Sequence, residues 1–203
     1  CAYKARSGVE FTPKEVYMLK SKSTDEERLY YINQSDKTKY KVRAPKNGIR
    51  FSNDYMRPLI LGPNISEFSY KMDNDYCFFP YEKCVENDKE TIRLVDFERF
   101  DPILKKYLID NKHIVSKQSK KSKSIAIGDD FYALSKVGLY TFSNTLVAFR
   151  DNVKMCATVI HSENEKLMPI CAKHAPYISM DKTNRLISYD EAYYICGILN
   201  TSI

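Results

Sequence analysis

Between Lys37 and Arg50, the cations Lys37, Lys39, Lys41 and Arg43 alternate with Thr38, Tyr40, Val42 and Ala44, and Lys46 and Arg50 follow with no acid between them. Drawn as a strand, this stretch puts four like charges on one face. Such a row repels itself unless an anion neutralises it, and a nucleic-acid phosphate backbone is the usual one. An edge strand guarded by lysines against aggregation accounts for the same pattern, and the two readings stand level. A second basic tract, Lys112, Lys117, Lys120, Lys121 and Lys123, lies in a run without Asp or Glu from Asn111 to Gly128. Cations at a helix C-terminus favour the macrodipole, and a lysine-rich loop can equally track phosphates. A third group is aromatic and polar: Tyr132, Lys136, Tyr140, Arg150, Asn152 and Lys154. Arg and Asn match guanine and adenine edges, although most such residues in any protein are simply solvated. The candidate DNA-binding set is therefore Lys37, Lys39, Lys41, Arg43, Lys117, Lys120, Lys121, Lys123, Tyr132, Lys136, Arg150 and Lys154.

Signals for catalysis are weaker. There is no Asn-Pro-Pro-aromatic motif and no glycine-bearing cofactor loop. Asp110-Asn111-Lys112 with Asp96 upstream has the form of a nuclease metal site, but the triplet is common by chance and falls in an expected helix. His113, His161 and His174 have no spacing of paired metal ligands. Six cysteines (Cys1, Cys77, Cys84, Cys156, Cys171 and Cys196) form no C-x-x-C pair, so reduced, buried thiols are expected, with neither zinc nor disulfides. No catalytic residue and no metal ligand is assigned.

Elements must position these residues. The first 60 residues alternate short β-type runs with polar punctuation, EVYMLK, RLYYINQ and TKYKVRAPKNG, and are read as strands, although Thr12, Pro13 and Glu15 would also suit a helix start. Pro58 and Pro63 break the next segment, and DYCFFPYEKC reads as a buried strand ending at Pro80. A helix is expected over 102–116: Asp101 caps it, Pro102 takes the first position, and Ile103, Leu104, Tyr107, Leu108, Ile114 and Val115 share a face. SKQSKKSKS then reads as a loop. FYALSKVGLYTFSNTLVAFRD and VKMCATVI read as strands, and a loop and PYISM lead to a last helix over 189–201. Ser188 and Glu191 form its capping box, and Ala192, Ile195, Cys196 and Leu199 form its apolar stripe.

The 203 residues, 43% hydrophobic and 13% aromatic, suit one globular core, and the net charge of +6, from 32 Lys and Arg against 26 Asp and Glu, permits a polyanion partner. No signal-peptide layout and no membrane-spanning apolar run is present, so a cytoplasmic protein without membrane contact is expected. The first residue is Cys1 and the last helix has no stop signal after Leu199, which together suggest a fragment of a larger protein. The expected fold class is α/β of the α+β type: a single mixed domain, 1–203, with a largely antiparallel sheet and two principal helices.

The order of segments resembles the C-terminal target recognition domain of the large adenine-specific DNA methyltransferases of restriction-modification systems, including those fused to a nuclease. The resemblance spans nearly the whole chain and is carried by ARSGVEFTPKEVYML, by MRPLILGPNISEF followed by YCFFPYEK, by KKYLIDNKHIVSKQ, by FYALSKVGLYTFSNTLVAFRD and by EAYYICGILNTSI. Within these, Arg57-Pro58-Leu59, Phe79-Pro80-Tyr81, Phe131-Tyr132-Ala133-Leu134 and Leu199-Asn200-Thr201-Ser202 match the family's marks. The resemblance implies a division of labour. An upstream methyltransferase domain would bind S-adenosylmethionine and methylate a flipped adenine, while this domain, with no cofactor of its own, would choose the site on double-stranded DNA. Three alternatives remain: half of a separate specificity subunit, a protein-interaction module docking a nuclease or motor subunit, and a nuclease using Asp96, Asp110 and Lys112.

Overall fold

A computed structural model of the protein describes residues 2–22, 29–32, 40–122, 130–150 and 154–201, and of 116–122 the backbone alone. In chain order the strands are β1 (Tyr3–Arg6), β2 (Met18–Ser21), β3 (Leu29–Ile32), β4 (Ile49–Arg50), β5 (Met56–Ile60), β6 (Ile65–Ser66), β7 (Ser69–Tyr70), β8 (Asp75–Phe78), β9 (Tyr81–Glu86), β10 (Lys89–Leu94), β11 (Thr145–Arg150), β12 (Cys156–His161), β13 (Ile170–Cys171) and β14 (Tyr177–Asp181). The helices are α1 (Lys14–Tyr17), α2 (Pro102–Ser122) and α3 (Tyr189–Thr201). The class is α+β with largely antiparallel sheets, and α2 and α3 are the two principal helices, as expected. The chain forms two compact, interleaved units. One comprises 1–9, 58–73 and 138–203, the other 10–57 and 74–137.

In the first unit, β1, β14, β11 and β12 make an antiparallel sheet in that order. β11 is central and apolar on both faces. Val147 joins Ala157, Ile178, Ala192, Ile195 and Cys196 under α3. Leu146 and Ala148 face the opposite cluster with Ile60, Ile65, Ile160 and Tyr177. This is the period-two alternation of a strand sandwiched between two layers. The capping box of α3 is present: Glu191 N–H donates to Ser188 Oγ at 3.2 Å and Ser188 N–H to Glu191 Oε2 at 2.8 Å. Arg185, bonded to the same carboxylate, holds the Glu191 pKa down at about 2. Asn200 fastens the far end, giving and taking hydrogen bonds with the Ala157 backbone at 2.9 and 2.8 Å.

In the second unit, β8, β2, β3 and β4 are joined antiparallel in that order, and the core is aromatic. Tyr17 stacks on Phe78, Phe78 meets Phe100 edge-on, and Phe100 meets Tyr132. Leu104, Tyr107, Leu108, Ile114 and Val115 bury one stripe of α2 in this core, and Asn111 completes it. Ile103, expected on that face, is exposed. Asp101 caps the helix, accepting the N–H groups of Ile103 and Leu104 at 2.9 Å each.

Several elements differ from expectation. EVYMLK opens as the single turn α1, because Pro13 fixes φ and Val16 N–H closes back on the Pro13 carbonyl, before β2 begins. Pro58 lies inside β5 without breaking it, and the pairing with β13 runs through Leu59 and Ile60, beyond the proline. The helix continues through 117–122 where a loop was expected, since lysine is a good helix former. Residues 131–144 form turns and a 3-10 segment where strands were expected. The hairpin β9–β10 was not anticipated. It turns on Asn87 and Asp88, both at positive φ, as a mirror-image two-residue turn requires. Cys77, Cys156, Cys171 and Cys196 are buried free thiols and Cys84 is a half-buried one. Among the described residues no helix is long and apolar enough to cross a membrane.

Candidate nucleic-acid interface

The first basic tract begins outside the described residues, with Lys37 and Lys39. From Tyr40 to Gly48 it is not a strand. The alternation nevertheless persists, with Val42 buried and Lys41 and Arg43 exposed on either side of it. What replaces a neighbouring strand is a side chain. Asn111, fully buried on α2, accepts the Arg43 N–H at 2.8 Å and donates to the Arg43 carbonyl at 2.9 Å, the exchange that a paired strand residue would make. Its amide also donates to the Tyr107 carbonyl at 2.9 Å.

Ten residues earlier on the helix, Asp101 accepts the Ser52 N–H at 3.2 Å. Residues 43–52 are thus fastened at both ends to α2, over about 15 Å at 1.5 Å per residue. Between the fastenings the chain turns at Pro45–Gly48. Gly48 has φ of 91°, and a Cβ there would meet the Tyr31 ring at 2.9 Å, so glycine is required. The turn exposes Lys46. Among the described residues, Lys41, Arg43 and Lys46 pair with no carboxylate. An open cleft of about 480 Å³ lies at the Ser52 end, lined by Arg50, Phe51, Ser52, Asn53, Asp101, Pro102 and Ile103.

In the second tract, Lys117, Lys120 and Lys121 sit on the last turns of α2, and Lys123 falls outside the described residues. Lys112 lies over the Phe131 ring, 4.8 Å from its centroid. The third group is dispersed. Tyr132, expected to contact DNA, is wholly buried, donating to the Val95 carbonyl at 2.7 Å inside the aromatic core, and burial raises its phenol pKa. It is a core residue: its ring is needed by Phe97, Phe100 and Phe131. Tyr132→Phe should lower stability by about 1–2 kcal/mol, through the orphaned carbonyl, and leave DNA affinity unchanged, as urea denaturation beside DNA titration will read.

Lys136, at φ 63°, pairs with Glu10 at 3.7 Å. Tyr140 carries the Arg6 guanidinium on its ring at 4.1 Å. Arg150 donates from Nε to Cys156 Sγ at 3.0 Å, and Lys154 pairs with Glu67 at 2.5 Å, which raises the lysine pKa. Arg150 and Lys154 therefore converge on the start of β12, beside the β6–β7 hairpin that carries Glu67. Asn152 lies outside the described residues.

Of the residues in the nuclease alternative, Asp110 pairs with Lys106 at 2.9 Å and Lys112 lies over the Phe131 ring. Among the described residues no three His, Cys, Asp or Glu side chains group as a metal site. His161 is bonded to Thr145 and Glu163 and packs against Tyr189. Asn111 is the residue that sequence reasoning missed, since it stood only as the unassigned middle of a D-x-K triplet. Its spacing, four after Tyr107 and three before Ile114, already placed it in the apolar stripe. Compared with known proteins, the chain matches no protein-family model and no curated protein.

Proposed function

We propose that the chain is a DNA target recognition domain, serving an adenine-specific methyltransferase or restriction-modification enzyme. The observation that carries this reading is the cation row on residues 41–46, exposed, free of partner acids among the described residues, and fastened to α2 from Arg43 onward through Asn111 and Asp101. Held at fixed spacing, such a row meets successive phosphates without paying to order itself, and supplies affinity and register. Lys117, Lys120 and Lys121 follow on the last turns of the same helix. In this proposal the chain performs recognition only, and S-adenosylmethionine binding and methyl transfer belong to an upstream methyltransferase domain. A second reading, a module docking a partner subunit, draws on α3, whose outer face leaves Tyr189, Tyr193, Tyr194 and Ile198 exposed.

Selection from a randomised duplex pool tests the first reading. One short motif should be enriched and bound at least about 10³-fold more tightly than random sequence. A pool that emerges without enrichment removes target recognition, and failure to retain any duplex removes DNA binding altogether.

A further inference from the structure

The turn of the β6–β7 hairpin is Glu67-Phe68, between the paired residues Ser66 and Ser69. Phe68 has φ of 56°. The second central position of a two-residue turn takes positive φ readily only as glycine or asparagine, and a bulky side chain there is strained. Burial does not compensate, because Phe68 is 63% exposed. Its surroundings hold the strain in place. The Phe68 N–H donates to the Ala157 carbonyl at 2.9 Å, the Lys71 N–H to the Asn64 carbonyl at 3.0 Å, and Ile65 at the foot of the hairpin is fully buried. Asn64 braces the loop, accepting the Leu61 N–H and donating to Asp73. The result is an aromatic ring displayed on a rigid base, with Tyr70 and Met72 partly exposed behind it. A strained, solvent-facing aromatic held in place by its own hairpin is an outlier of the kind that marks a functional position.

The neighbours indicate which partner. Glu67, next in the chain, is tied to Lys154. Arg150 reaches Cys156, one residue before the Ala157 that anchors the turn, and there it meets a thiol and, among the described residues, no carboxylate. The hairpin that carries the ring therefore packs, at its foot, beside a guanidinium that pairs with no carboxylate among the described residues. A rigid apolar ring next to such a cation fits duplex DNA, with the ring against base faces and the guanidinium on the adjoining backbone.

We infer that Phe68 is a wedge that enters a base step of duplex DNA and unstacks it, with Arg150 beside it on the flanking phosphate. This inference rests on the DNA-recognition reading and deepens it by assigning how the first unit engages the duplex.

The test titrates the whole chain, as wild type, Phe68→Gly, Phe68→Ala and Phe68→Trp, into duplexes of the selected motif carrying 2-aminopurine at successive steps. Affinity is followed by anisotropy, unstacking by 2-aminopurine emission and stability by thermal melting. Wild type and Phe68→Trp should brighten the probe at one step. Phe68→Gly and Phe68→Ala should bind about 10-fold more weakly, leave the probe dark and keep the salt slope of wild type. Phe68→Gly should melt at the same temperature or higher, because glycine relieves the strained φ. Equal affinity and equal emission in all variants would overturn the wedge while leaving DNA recognition standing. A lower melting temperature in Phe68→Gly would also overturn it, by giving the ring a structural role. Absence of binding by the wild type on any duplex overturns the DNA reading itself, and the wedge with it.

Discussion

With Lys41, Arg43 and Lys46 all changed to Ala, the plot of log affinity for duplex DNA against log salt should flatten by roughly 2.7 units, about 0.9 for each phosphate that the protein no longer neutralises. Raising salt from 50 to 200 mM would then cost the wild type about 40-fold more affinity than the variant. The fold should not suffer. All three side chains are exposed and, among the described residues, pair with no carboxylate, so their removal leaves no buried charge alone and relieves mutual repulsion. Whatever base preference the selection returns should survive, because phosphate contacts position the protein and carry no sequence information. An unchanged slope would make this segment a guarded surface stretch and return the function to the protein-docking alternative.

Asn111→Leu should lower stability by about 2–4 kcal/mol. Leucine keeps the γ-branched shape, though it is larger, and suits the apolar stripe, but it leaves the Arg43 N–H and carbonyl without the two hydrogen bonds that the amide provides in a buried setting. The Tyr107 carbonyl loses less, since it keeps its place in the helix ladder. The loss should appear twice: as an earlier urea midpoint, and as a salt slope flattened part of the way toward that of the triple variant, because Arg43 and Lys46 are no longer held at fixed spacing. Asn111→Gln, which keeps the amide but pushes it one methylene too far, should fall between the two. A midpoint shift worth less than about 0.5 kcal/mol would mean that the segment is placed by something other than this side chain.

The two long helices were legible because their signals are local. Ser188 and Glu191, or Asp101 and Pro102, sit within one turn of the residues they stop from fraying, and neither depends on distant partners. Residues 131–144 were misread for the opposite reason. Phe131, Tyr132, Leu134 and Val137 are apolar because the aromatic core requires them, and density of apolar residues reports burial without reporting extended backbone. The hairpin β9–β10 carried its signal in Asn87-Asp88, a pair that tolerates left-handed φ without the glycine that usually marks such a turn. Phe68 carried none, because no propensity rule predicts a strained phenylalanine at a turn. The division into two units was equally silent, since each is assembled from segments far apart in the chain. Of the proposed DNA contacts, charge made Lys41 and Arg43 visible, whereas the amide that fixes them was hidden among the hydrophobic positions of α2.

The two fastenings of residues 43–52 have one property in common: Asn111 grips the backbone N–H and carbonyl of Arg43, and Asp101 grips the backbone N–H of Ser52. Neither consults a side chain of the segment it holds. Exposed positions between them, such as Lys46 and Asn47, can change their chemical character while the span keeps its ends, its length and its alignment on the helix, whereas Gly48 holds the turn and Ile49 and Phe51 stay buried in the core. The outward face of the segment is therefore an exchangeable cassette in a fixed socket, and drift in what it contacts can proceed by substitution on that face without renegotiating the fold that presents it.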